Sequence, residues 1–163
     1  MPPADSPRVA EVVAQLRAAG ATGEVRELAE SAHTAVLAAD QLGIPVGAIA
    51  NSLVFEAAGA PLLVLTSGAH RVDTTKVAEL LGVPALRSAR ADFVREHTGQ
   101  AIGGVAPVGH PAPIGTLVDV ELARYDTVWA AAGHPRTVFP TSYDELLRIT
   151  EGTAAEVGQD TGA

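Results

Sequence analysis

Cysteine is absent from the 163 residues, which excludes disulfides, thiolate metal ligands and a cysteine nucleophile. Its absence fits a reducing compartment, and a cytoplasmic chain is expected. Aromatic residues make up only 4%, so the core must come from the aliphatic part of the 47% hydrophobic content. No run of about 18 apolar residues occurs, so no membrane partner is expected. The N-terminus lacks the basic-then-apolar order of a secretory leader. Basic side chains are few: eleven against nineteen acidic ones leave a net charge of −8. Nucleic-acid binders draw most of their affinity from phosphate contacts, so this balance argues against a protein that coats long nucleic acid. It leaves room for a local grip on a few terminal nucleotides. Five basic residues, Arg71, Lys76, Arg87, Arg90 and Arg95, fall within 25 positions.

Familiar catalytic signatures are missing too. There is no P-loop, no dinucleotide fingerprint, no His-Glu-x-x-His and no Gly-x-Ser-x-Gly. The five histidines, His33, His70, His97, His110 and His134, are never four residues apart. A helical metal pair is therefore absent, and neither a metal nor an organic cofactor is expected.

What is present reads as a mixture of helices and strands. Pro7 opens a helix with Val9, Val12, Val13 and Leu16 at helical spacing, stopped at Gly20. Glu24 to Leu28 reads as a short strand. Thr34 caps a helix from Ala35 to Leu42, closed by Gly43, and a further helical turn starts near Val46. Ile49 to Phe55 and Leu62 to Thr66 read as a hairpin joined by Glu56 to Pro61. The unbroken apolar run Leu62-Leu-Val-Leu65 implies a central strand covered on both faces. Asp73 caps a helix ending at Gly82, and Asp92 caps another ending at Gly99. Ile114 to Val118, Val128 to Ala131 and Thr137 to Phe139 read as strands. Thr141-Ser-Tyr-Asp144 has the capping-box pattern ahead of a last helix. The expected organisation is one α/β domain over residues 7–150, a flexible N-terminus at 1–6 and a flexible tail at 151–163, with a mixed sheet and helices packed on it.

Three segments carry candidate chemistry. Residues 99–115 hold five of the sixteen glycines and three of the eleven prolines. Within them, Gly103-Gly-Val-Ala-Pro-Val-Gly109 can gather backbone N–H groups into a nest for an anion or a developing oxyanion. A purely structural loop is the alternative for this segment. Ala130-Ala-Ala-Gly133-His134-Pro135 ends an apolar strand with small residues that admit a ligand close to the backbone, or simply make a tight connection. Asn51-Ser52 places two polar side chains in an apolar strand, where buried groups need partners.

Taken in order, these segments resemble the YbaK and prolyl-tRNA-synthetase-associated domain family. The likeness runs from His33-Thr34 through Ile49-Ala-Asn-Ser-Leu-Val-Phe55, Leu65-Thr-Ser-Gly68 and Arg71-Val-Asp73. It continues through Leu80-Leu-Gly82, Thr98 to Gly109, Leu117-Val-Asp119, Ala132-Gly133-His134 and Glu145-Leu-Leu. The resemblance implies a mixed, barrel-like sheet with flanking helices, and a hydrolase that removes wrong amino acids from tRNA. It implies a Gly-x-x-x-Pro loop, matched by Gly103, Gly104, Val105, Ala106 and Pro107, whose backbone N–H groups hold the ester carbonyl. Where many members carry a lysine before Ser-Leu-Val-Phe, this chain has Asn51.

The expected function is a free-standing deacylase for mischarged tRNA, with the aminoacylated 3′ end as partner and an aminoacyl-tRNA synthetase as a partner that the resemblance allows. Asn51 and the Gly103–Pro107 loop are the expected catalytic elements. Substrate contacts are expected from His33, Thr34, Ser52, Arg71, Lys76, Gly109, Ala132, Gly133 and His134. A non-catalytic 3′-end binder of the same fold, and a hydrolase of other acyl esters, are the alternatives.

Overall fold

The computed structural model describes residues 3–159. Thirteen helices and strands follow one another, with short 3₁₀ turns between some of them. In chain order they are α1 (Pro7–Ala18), β1 (Arg26–Glu27), α2 (Ala35–Leu42), β2 (Ile49–Ala57), β3 (Ala60–Ser67), α3 (Thr74–Leu81) and β4 (Leu86–Ser88). After these come α4 (Ala91–Thr98), β5 (Gly115–Asp119), β6 (Val128–Ala131), β7 (Thr137–Thr141), α5 (Tyr143–Thr150) and β8 (Thr153–Ala155). The strands form one mixed sheet in the order β1-β7-β6-β2-β3-β5-β8, with β4 pairing β2 outside that path.

The central strand is β3, held antiparallel to β2 and parallel to β5. Its continuous apolar run is explained by burial on both faces. Leu63 and Leu65 join the larger core cluster with Val12, Leu16, Phe139 and Leu146. Leu62 and Val64 join a second cluster with Val77, Ala78 and Val157 on the other face. Full burial of each such side chain contributes about 1.5–3 kcal/mol. The end of β3 is tied to β5 by Asp119, which is fully buried. Its Oδ2 accepts from Thr66 Oγ1, from the Ser67 N–H at 2.9 Å and from His70 Nδ1 at 2.8 Å.

Local signals place most helices. Thr34, Asp73 and Ser6 accept backbone N–H groups at the starts of α2, α3 and α1. Gly43, Gly82 and Gly99 close helices in the left-handed conformation. The hairpin differs from expectation: the strands run on to Ala57 and from Ala60, leaving a turn of only Ala58 and Gly59, both at positive φ. Pro61 lies within β3. Pairing with β5 begins only at Leu62, so one side of Pro61 has no ladder for its missing N–H to interrupt.

Other boundaries shift by a residue or two. The cap of α4 is Arg90, with Asp92 inside the first turn, where its carboxylate accepts the Phe93 N–H. The cap of α5 is Ser142 rather than Thr141, bonded to the Glu145 N–H, while Thr141 Oγ1 meets the Glu145 carboxylate at 2.6 Å. The expectation of a flexible tail from residue 151 is corrected for residues 151–159. Thr153–Ala155 pairs with β5, Val157 is fully buried, and the Asp73 N–H donates to the Val157 carbonyl. Two apolar positions and a set of paired backbone groups suffice to order a segment whose composition looks loose. The expected loose start is likewise a 3₁₀ turn at Pro3–Asp5 followed by the Ser6 cap. Residues 1–2 and 160–163 lie outside the described residues. Among the described residues, no helix is long and apolar enough to cross a membrane.

Candidate active site

The site arises from a fork in the sheet. Along one edge of β2, Ile49 and Ala50 pair with Trp129 and Ala130 of β6, and Phe55 to Ala57 pair with β4. Between these two partners, Asn51 to Leu53 have no strand beside them on that edge among the described residues. Beyond Ala131 the chain swings away: the Ala132 N–H bonds the Thr137 carbonyl, and Gly133 takes φ 105°. The gap is a cleft with two lobes. The larger, about 390 Å³, is walled by apolar side chains including Leu53, Val54, Val94 and Ile102. The smaller lies toward Trp129, His134 and Pro135. Five residues, His33, Asn51, Ser52, Gly103 and Val105, line both lobes and make them one site.

Alternation along β2 separates its two polar residues. Asn51 shares a face with Ile49, which packs under α2, and Ser52 shares a face with Val54, in the same core cluster as Val105. The open edge lets both faces meet the cleft. The Asn51 amide makes no side-chain hydrogen bond to a described residue. Ser52 Oγ is buried without a hydrogen-bond partner among them.

The glycine loop is built like a bracket. A turn over Ala101 to Gly104 is closed by the Gly104 N–H on the Ala101 carbonyl, with Gly103 at φ 92° in its third position. Gln100, 1% exposed, anchors the residues after this turn: its Oε1 accepts the Ala106 N–H at 2.7 Å and its Nε2 donates to the Val108 carbonyl at 3.1 Å. Val105 and Ala106 sink into the core. The Gly104 and Ala106 N–H groups are thus engaged inside the loop. Those of Gly103 and Val105 have no partner among the described residues, and both residues face the cleft.

Histidines surround this loop. The His33 ring lies beside Gly103, its Nδ1 3.0 Å from where a Cβ on that glycine would stand. His134 Nδ1 accepts the Arg136 N–H at 3.0 Å, which assigns the remaining proton of the neutral ring to Nε2. His110 Nε2 bonds the Ala106 carbonyl at 2.9 Å behind the loop. Burial holds the His110 pKa below its usual 6.5, opposed in part by that bond. A histidine neutral in the fold but protonated in the unfolded chain contributes stability that is complete above pH 6.5. That contribution is lost as pH falls from 6.5 through the lower folded value. Thermal melts should therefore show stability declining over this window, and His110→Gln should flatten the decline.

The structure brings His33, Thr34, Asn51, Ser52, Gly103, Val105 and His134 to the cleft. Gly104, Ala106 and Pro107 are buried behind it. Gly109, Ala132 and Gly133, expected as substrate contacts, line neither lobe: the two glycines lie against Val12 and Ala132 is fully buried. Arg71 and Lys76 are not brought to the cleft. Lys76 Nζ donates to the Gly158 carbonyl at 2.9 Å, and the Arg71 carbonyl accepts the Gln159 N–H, so both belong to the docking of the C-terminal segment. Sequence reasoning missed Gln100 and His110, because nothing local marks a loop glutamine or histidine as buried.

Known proteins resemble this chain over most of its length. A family model described as the aminoacyl-tRNA editing domain matches residues 29–149. YwhH of Bacillus subtilis is 32% identical over 128 residues, which cover 78% of this chain and 81% of that protein. The proline–tRNA ligase of Bacillus licheniformis is 36% identical over 159 residues, 88% of this chain but only 27% of the ligase. The crystal structure of a candidate trans-editing enzyme for prolyl tRNA synthetase superposes with a TM-score of 0.89 at 42% identity. That match covers 95% of this chain and 99% of the other.

Proposed function

The chain belongs to the aminoacyl-tRNA editing domain family, and from that premise we propose that it is a deacylase acting in trans on mischarged tRNA, with tRNA for proline as its substrate class. The observation that carries the reading is that Gly103 and Val105, whose N–H groups have no partner among the described residues, line a cleft of about 390 Å³ with apolar walls. In this reading the amino-acid side chain enters the apolar lobe and the ester carbonyl meets the two donors. Water attacks the carbonyl carbon, and the negative charge that grows on oxygen is held by the Gly103 and Val105 N–H groups. The likeness to the structure described as a candidate trans-editing enzyme for prolyl tRNA synthetase supports action in trans. A 3′-end binder without catalysis is the second reading, favoured by the neutral Asn51 where the family resemblance implies a lysine. Purified protein incubated with a panel of mischarged tRNAs decides between them: release of the amino acid supports the deacylase, and binding without release supports the binder.

The RNA contact is assigned to three arginines. Arg87, Arg90 and Arg95 are exposed and interleave with Ser88, Ala89 and Val94, which line the cleft. None of the three is ion-paired with a described residue. Each phosphate contact adds about 0.7–0.9 to the slope of log affinity against log salt. Replacing all three by Gln should lower that slope by about 2–3, measured by tRNA binding from low to moderate salt. Arg71→Gln should leave it unchanged.

A further inference from the structure

We propose that His33 is the general base that activates water in this cleft, an assignment that rests on the deacylase reading above. Among the chain's own side chains, elimination leaves one group, and its position gives the role. Among the described residues lining either lobe there is no Asp, Glu, Lys, Arg or Tyr. The side chains there that carry a basic nitrogen are the imidazoles of His33 and His134. His134 is committed: its Nδ1 accepts the Arg136 N–H, so its neutral ring presents only the Nε2 proton, as a donor. His33 has no hydrogen-bond partner for either ring nitrogen among the described residues. It is exposed, lines both lobes, and sets Nδ1 beside Gly103.

An ester carbonyl held by the Gly103 and Val105 N–H groups has its carbon next to the His33 ring. Asn51 lies on the β2 face that α2 covers, and His33 stands directly before the Thr34 cap of that helix. The Asn51 amide can thus hold the water that His33 deprotonates. In the first step the water oxygen bonds to the carbonyl carbon, its proton passes to His33, and the carbonyl π pair moves to the oxygen. In the second the pair returns, the bond to the ribose oxygen breaks, and His33 gives its proton to that oxygen. The products are the free amino acid and a tRNA with its terminal hydroxyl restored. Asn51 carries no charge and needs none, because the base is His33, which lines the same two lobes.

Single-turnover hydrolysis of a mischarged tRNA tests this with His33→Gln and His33→Ala. Loss of a positioned base costs about 10²–10⁴ in rate, so both variants should lose kcat by that order. Each should still bind a non-hydrolysable amide analogue of aminoacyl-adenosine with the wild-type Kd. Added imidazole should restore part of the rate of His33→Ala, which a purely structural role would not allow. A wild-type rate in either variant, or a loss that imidazole does not restore, overturns the assignment while leaving the editing reading intact. A wild-type chain that releases no amino acid from any tRNA would remove the editing reading, and the base with it.

Discussion

Gly104→Val is expected to lower kcat/KM for deacylation by about 10²–10³, the effect of losing one oxyanion donor. Gly104 does not need its freedom of φ, unlike its neighbour Gly103 at φ 92°. It needs space. A Cβ there would stand 2.8 Å from the His134 carbonyl carbon and the Pro135 nitrogen, closer than real Cβ contacts come. Both are backbone atoms at the strand end that forms the opposite wall of the cleft, so neither can rotate away. The loop must retreat, and with it the Gly103 and Val105 N–H groups flanking position 104. The collision is with the wall of the cleft rather than with the substrate carbonyl, which the sequence alone would place in the path of the new side chain. Gly104→Ala meets the same atoms and should be impaired in the same direction, though less. Forced contacts of this kind cost about 1–3 kcal/mol, within a typical stability of about 5–15 kcal/mol. Circular dichroism should therefore report a folded protein.

Gln100→Leu is expected to destabilise the fold and silence the site together. The side chain is 1% exposed, and its amide satisfies the Ala106 N–H and the Val108 carbonyl. Leucine has a similar volume and leaves both groups without a partner. An unsatisfied buried polar group costs about 1–3 kcal/mol, so the pair should cost roughly 2–6 kcal/mol. For a domain of this size that lowers Tm by about 4–24 °C. Freed from Gln100, the Ala106 N–H can turn elsewhere, and residues 103–107 lose the shape that aims their donors. Calorimetry measures the first effect and deacylation below the new Tm the second. A variant as stable and as active as wild type would show that the loop holds its form without this anchor.

How much of this was legible beforehand depends on how local each signal is. The caps at Thr34 and Asp73 and the closing glycines are decided within four residues, and the chain spells them out. The doubly buried β3 was legible because burial on both faces removes alternation. Strands β4 and β8 were not, since three residues at a sheet edge carry no period to read. The five basic residues looked like one cluster because they are near in sequence. Folding separates them: α3 carries Lys76 toward the C-terminal segment, while Arg87, Arg90 and Arg95 follow one another along β4 and α4, next in sequence to the cleft-lining Ser88, Ala89 and Val94. Gln100 was invisible for a related reason, as a polar residue in a glycine-rich loop reads as solvated until the core closes over it. The fork at β2 depends on strands far apart in the chain, so no local pattern announces the cleft that Asn51 and Ser52 enter.

The most direct test of the central claim is a turnover count with protein limiting. The purified chain is mixed with a large excess of proline tRNA carrying a wrong amino acid, and the released amino acid is followed beside a sample of the correctly charged tRNA. A deacylase built on the Gly103 and Val105 donors should release many equivalents per chain from the mischarged tRNA and leave the correct one at its spontaneous rate. Release from the mischarged tRNA at the spontaneous rate alone, or its protection in proportion to bound protein, would contradict the account and identify the cleft as a holder of the aminoacyl end.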